Sequence, residues 1–262
     1  MPRLRLLALV LLAAGAVAAA FVPGGITIGS RSMSRPGDLL GSAVSEGHLD
    51  AGQAVFIARC ASCHGDAGGG TARGPSLMGV GAAAADFELR TGRMPYSGPP
   101  GGQAVRKPPA FDDQTIRDLV AYVASLGSGP EIPEPRVAAN SVSAGQRLFV
   151  ANCAPCHGAT ARGGAVGGGA LAPALDVATS LEVAEAMLIG PGEMPVFSGF
   201  SVAERDAVVS YVSFLQTQPE PGGMSIGGIG PVPEGFVGWL LGLGLMLVVV
   251  FVVGRDWRGS RA

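Results

Sequence analysis

The chain has 262 residues, room for two small domains and membrane segments rather than one large core. Hydrophobic residues make up 48% but aromatics only 6%, beside 42 glycines and 20 prolines. That mix argues against a large sheet core and for short helices wrapped around something the chain does not itself supply. A formal net charge of −2 with no run of Lys or Arg excludes a nucleic-acid footprint.

The N-terminal segment, residues 1–24, carries Arg3 and Arg5 ahead of an apolar stretch over residues 6–22. Such a segment keeps its charged end in the cytoplasm and sends the following chain across the membrane. Ala18, Ala19 and Ala20 suit a cleavage site, and the stretch also suits retention as a hydrophobic helix; both leave the middle of the chain on the outer side.

Residues 46–127 and 140–217 read as two copies of one plan. Each opens on a helix with glycine and phenylalanine four apart, Gly52 and Phe56 in the first, Gly145 and Phe149 in the second. Four residues apart is one helix face, where glycine admits another helix and phenylalanine packs beside it. Each copy closes on an amphipathic helix, over residues 112–126 and 201–215, with Tyr122 and Tyr211 in matching places. Asp112 is the expected N-cap of one, and Ser201 with Glu204 has capping-box spacing in the other. A proline-stiffened connector over residues 127–135 is too short for free tethering and predicts that the copies pack together.

All four cysteines, and two of the three histidines, fall in two Cys-x-x-Cys-His motifs: Cys60, Cys63, His64 and Cys153, Cys156, His157. In this motif the thiols add to the two vinyl groups of haem, and the adjacent histidine is fixed beneath the iron. A thioredoxin-like pair needs a βαβ setting, and no strands are evident; a zinc site usually brings its cysteine pairs much closer together. The chain is therefore expected to carry two covalently bound haem c groups. Met94 and Met194 each precede a proline upstream of the closing helix, and are the expected sixth ligands. A residue before proline is held extended, which suits a loop that aims a side chain into a pocket. Met78 and Met187 are rival ligands expected instead to pack in the haem pocket, and His48, a rival to Met94, is expected to lie on the surface. Pro75 and Pro173 follow the two motifs and are placed to hold a carbonyl toward the ligating histidine. Arg73, Arg106 and Lys107 are candidates for the haem propionates.

Residues 235–254 carry no charge and include thirteen Phe, Leu and Val residues, each favouring insertion by about 0.3–0.6 kcal/mol. At ~1.5 Å per residue the run spans roughly 30 Å, the thickness of a bilayer's hydrocarbon core. Trp239 and Trp257 lie near its edges, and Arg255, Arg258 and Arg261 place the C-terminus in the cytoplasm.

At these residues the chain resembles class I cytochrome c in duplicate, which implies an all-α fold in which first and last helices cross and haem fills the core. The wider order of segments is similar to the dihaem cytochrome c subunit of actinobacterial-type cytochrome bc complexes. The shared stretches are Arg93-Met94-Pro95 and residues 106–111, 121–127 and 230–239. That resemblance implies cytochrome b and a Rieske iron–sulfur protein as partners. It also implies electrons drawn from menaquinol and passed to the copper centre of a terminal oxidase in the cell membrane. With methionine at both irons no vacant position is left for substrate, which argues against a dihaem peroxidase or thiosulfate dehydrogenase. A dihaem subunit of another respiratory oxidase or of a periplasmic dehydrogenase is the alternative; oxidase subunits of this type commonly carry their main anchor before the haems.

Overall fold

A computed structural model describes residues 46–99, 101–218 and 231–259. The N-terminal segment, residues 1–24, lies outside them. The described residues belong to two bodies: one ending at Thr217, which holds both Cys-x-x-Cys-His motifs, and the C-terminal helix.

In the first copy α1 (Glu46–Arg59) leads into the single turn α2 (Ala61–His64), then α3 (Gly81–Arg90) and α4 (Asp113–Ser125). In the second, a 3-10 turn at Ala139–Ser141 precedes α5 (Val142–Asn152), α6 (Ala154–His157), α7 (Ser180–Ile189) and α8 (Val202–Thr217). The expected caps are present. Asp112 accepts from the Thr115 N–H at 2.8 Å. The Ser201 N–H donates to Glu204 Oε2 at 2.8 Å, and the Glu204 N–H returns to Ser201 Oγ at 3.3 Å. A further capping box, Thr179 with Glu182, opens α7.

The opening and closing helices of each copy cross at the glycine. A Cβ on Gly52 would lie 2.0 Å from the Asp118 carbonyl oxygen, and one on Gly145 would lie 1.9 Å from that of Ala207. Only a glycine lets the backbones come this close. Four residues on, Phe56 and Phe149 are fully buried, their rings 5.0 Å from Tyr122 and 5.4 Å from Tyr211. Tilted pairs of this kind add about 0.5–1.5 kcal/mol beyond their burial. The rest of each core is aliphatic: Ile116, Leu119 and Val123 in one, Val208, Val209 and Val212 in the other.

One departure from the helical plan lies between His157 and Pro173. Two short antiparallel strands, β1 (Gly164–Gly167) and β2 (Ala170–Ala172), form a ribbon there. The path from His157 to Pro173 is 16 residues, against 11 from His64 to Pro75, and the ribbon takes up the excess. The glycines of this stretch removed any alternating apolar pattern by which a strand could be read.

The copies pack together, as the short connector requires. Helices α3 and α7 meet across the interface. From the first copy, Arg106 grips Glu182 of α7 through two bonds of 3.0 and 2.8 Å. Gln103 clasps the ribbon by giving one hydrogen bond to the Leu171 carbonyl at 2.7 Å and accepting one from its N–H at 3.1 Å. Arg106 was a propionate candidate; its guanidinium is committed instead to the partner copy.

The last element, α9 (Pro231–Gly259), contains an apolar span over Gly235–Arg255, 21 residues long and without burial in the protein. Its length, about 30 Å, matches a bilayer core. Trp239 and the Leu, Val and Phe side chains along it other than Leu243 are exposed.

Two outcomes follow from this packing. Gly145→Val drives a Cβ into the Ala207 backbone, and urea unfolding of the haem-bearing body should show a loss at or above the upper end of roughly 1–3 kcal/mol. A double-mutant cycle of Arg106→Ala with Glu182→Ala should give a coupling of about 1.5–3 kcal/mol, the range for hydrogen bonds to charged groups. Glu182→Ala alone should cost more than Arg106→Ala, because Glu182 also accepts from the Thr179 N–H.

Candidate haem sites

Each Cys-x-x-Cys-His motif is the continuation of the opening helix past a break at its first cysteine. The Cys60 N–H still bonds the Phe56 carbonyl at 2.7 Å, and the Cys153 N–H the Phe149 carbonyl at 2.7 Å. The buried phenylalanine thus fixes where each motif starts. The next turn ends at a glycine with positive φ, Gly65 (78°) and Gly158 (75°), which reverses the chain immediately after the histidine.

The reversal brings a proline carbonyl back to each imidazole. His64 Nδ1 lies 2.8 Å from the Pro75 oxygen, and His157 Nδ1 lies 2.9 Å from the Pro173 oxygen. A carbonyl only accepts, so Nδ1 carries the proton and Nε2 keeps its lone pair, the tautomer that binds a metal. Burial also lowers the proton affinity of His157, against the opposing bond to Pro173, and keeps the imidazole neutral. Both carbonyls are the ones expected from the sequence.

None of the four cysteines is in a disulfide; Cys153 is buried and Cys156 exposed, with Cys60 and Cys63 between. Burial raises the Cys60 thiol, and burial with the neighbouring Cys156 pushes Cys153 up to about 11. A redox-active pair of the thioredoxin kind needs a thiol shifted the other way.

Met94 packs against the first core cluster, as Cys60 does, and Met194 against the second, which includes Cys153. Their loops are tied down by the Met94 N–H to the Glu88 carbonyl at 3.0 Å and the Met194 N–H to the Pro191 carbonyl at 3.1 Å. Lys107 holds the first loop further, donating to Ser97 Oγ at 3.0 Å. Among the rivals, Met187 is 1% exposed within the second core, whereas Met78 is 56% exposed and packs in neither. His48 is half-exposed and bonds the buried Asp118 at 2.6 Å. Arg93, beside Met94, stacks over Phe87 at 4.7 Å. Its Nη1 is buried without a protein acceptor, an orphan that suits a carboxylate such as a haem propionate. Cysteine thiols, a neutral imidazole, a thioether and an unclaimed guanidinium nitrogen together fit haem c.

The profile described as "Cytochrome c" matches residues 49–127, and that of "Cytochrome C oxidase, cbb3-type, subunit III" matches residues 140–212. The cytochrome bc1 complex cytochrome c subunit of Corynebacterium diphtheriae is 38% identical over 234 residues, 82% of this chain and 81% of that protein. The chain belongs to the family of cytochrome bc1 complex cytochrome c subunits. The same subunit of Mycobacterium tuberculosis is also 38% identical, over 82% of this chain and 78% of its own length. The cbb3-type cytochrome c oxidase subunit FixP of Rhizobium meliloti is 31% identical over a shorter stretch, 44% of this chain and 40% of that one. The chain is therefore a dihaem cytochrome c that transfers electrons, with covalent haem c as its cofactor and an apolar helix fit to anchor it.

The interface acids, Asp86 and Glu185, were not foreseen. Nothing in their local spacing distinguishes them from ordinary surface carboxylates.

Proposed function

We propose that the chain is the electron-carrying subunit of a quinol–cytochrome c reductase. In this reading it relays electrons from a Rieske iron–sulfur protein through two His/Met haems toward a terminal oxidase. The observation that carries it is the twice-repeated arrangement of a Cys-x-x-Cys-His turn, a proline carbonyl on Nδ1, and a methionine packed on the same core. Cys60 and Cys63 hold one haem, with His64 and Met94 as its iron ligands. Cys153 and Cys156 hold the other, with His157 and Met194. Bound haem supplies a one-electron iron couple. The chain's own residues orient both imidazoles, keep Nε2 unprotonated, and favour the reduced state through thioether ligation. With His64 and Met94 holding one iron and His157 and Met194 the other, neither iron would be left open to a substrate, and the reductase chemistry would belong to the complex.

The domains in this reading are a signal or anchor segment at residues 1–24, cytochrome domains at 46–127 and 140–217, and a transmembrane helix at 235–254. Arg255, Arg258 and Arg261 after the apolar span support a cytoplasmic C-terminus with the haem domains outside. Cytochrome b and the Rieske protein are the partners that membership of a bc1 complex supports. The second reading, a subunit of a cbb3-like oxidase, draws on the match of residues 140–212. It is disfavoured by the much longer alignment to bc1 subunits and by an anchor that follows the haems.

Met94→His and Met194→His should each lower one of two reduction potentials in a redox titration while both haems stay attached; an unchanged pair of potentials would refute that ligand. Solubilised in mild detergent, the tagged chain should bring down cytochrome b and Rieske subunits, and recovery of cbb3-type oxidase subunits alone would transfer the assignment to the second reading.

A further inference from the structure

The interface between the two haem domains buries more acid than the neighbouring base can balance. Asp86 of α3 is 3% exposed, and Glu182 and Glu185 of α7 are 7% and 0%. Two of the arginines that reach it, Arg90 and Arg106, are committed. Arg90 holds both oxygens of Asp86 through Nε, at 2.8 and 3.0 Å, and Asp113 through Nη1 at 2.9 Å. Arg106 holds Glu182, and Arg93 stands between Glu88, Glu182 and Arg106. Glu185 is left facing Asp86 and Glu182, and neither of its oxygens has a hydrogen-bond donor.

Ionised carboxylates only accept, so the contact between Glu185 and Asp86 becomes a hydrogen bond when one of them holds a proton. Arg90 stabilises the charge on Asp86, which makes Glu185 the acid that keeps it. Burial first, then the negative charge of Asp86, push Glu185 up to about 9, with Arg90 opposing. Burial also raises Asp86, and Arg90 pulls it back.

The position of the pair matters as much as its composition. Helix α3 runs directly into the loop bearing Met94, and α7 directly into the loop bearing Met194. The carboxyls therefore sit between the two helices that lead to the two methionines, in an interior that screens charge weakly.

We propose that Glu185 is a redox-linked proton acceptor, sharing a proton with Asp86 across the domain interface and binding it more tightly when the chain holds an electron. The proposal rests on the dihaem electron-carrier reading. Above about pH 9, where the oxidised chain has released this proton, one electron enters from the upstream reductant and one proton from water; a water O–H breaks and leaves hydroxide, the O–H bond on Glu185 forms, and both leave together on reoxidation. An added electron raises the hold of Glu185 on its proton, so rising pH disfavours reduction.

Redox titration of the haem-loaded full chain, from neutral pH to above 9, tests this. At least one midpoint potential should fall as pH rises through about 9 in the wild type. In Glu185→Gln, close in shape to the protonated acid, that fall should vanish while both haems remain attached and reducible. Asp86→Asn removes the repelling charge and gives Glu185 an amide donor, so the fall should move to lower pH; should Glu185→Gln not fold, this shift decides alone. Redox-difference infrared spectra should carry a protonated-carboxyl carbonyl band that changes on reduction and is missing from Glu185→Gln. The same pH dependence in wild type and Glu185→Gln overturns the proposal. A wild-type chain without two reducible haems overturns instead the reading on which it rests.

Discussion

The crossing of the first and last helix in each domain leaves no room for a side chain at the point of contact. At Gly52 the backbone of α1 meets the Asp118 carbonyl of α4, and at Gly145 the backbone of α5 meets the Ala207 carbonyl of α8. Because the helices touch at backbone, the residue one turn on, Phe56 or Phe149, is driven fully into the core. That burial sets the position of the first cysteine through its bond to the phenylalanine carbonyl, and the rest of the motif follows within one turn. A lost glycine would thus be felt at the imidazole as much as in the core.

The duplication conserves relations rather than lengths. The ribbon adds residues between His157 and Pro173, yet the Nδ1-to-carbonyl distance differs from that in the first copy by only 0.1 Å. The histidine orientation is the constraint, and the loop is free to vary provided it returns. In the second copy the extra length forms the surface that Gln103 clasps, so an elaboration of one domain also joins it to the other.

The interface between the domains is polar where the domain cores are not. Glu182 serves two elements at once, capping α7 and receiving Arg106, and its charge is balanced. Glu185, one turn along, has no such partner. A buried acid of this kind is a cost to stability that persists only where neighbouring packing outweighs it, and such costs gather where a fold does chemistry.

Much of this molecule is written in short-range spacing. Cys-x-x-Cys-His, the caps at Asp112 and Ser201, the glycine–phenylalanine pairs, the proline carbonyls and the apolar C-terminal run are all local patterns, because helix periodicity and covalent chemistry act over a few residues. The ribbon escaped because four of its residues, including both in the turn between its strands, are glycine, which carries no pattern of hydrophobicity. The interface escaped for a different reason. Arg106 and Glu182 are 76 residues apart, and Gln103 and Leu171 are 68 apart. Which faces of α3 and α7 meet decides whether Asp86 and Glu185 are solvated charges or a buried pair, and charge type and spacing read the same in both cases. The sequence by itself determined the cofactor, its duplication and the anchor; only the tertiary structure decided which acids the two domains would bury against each other.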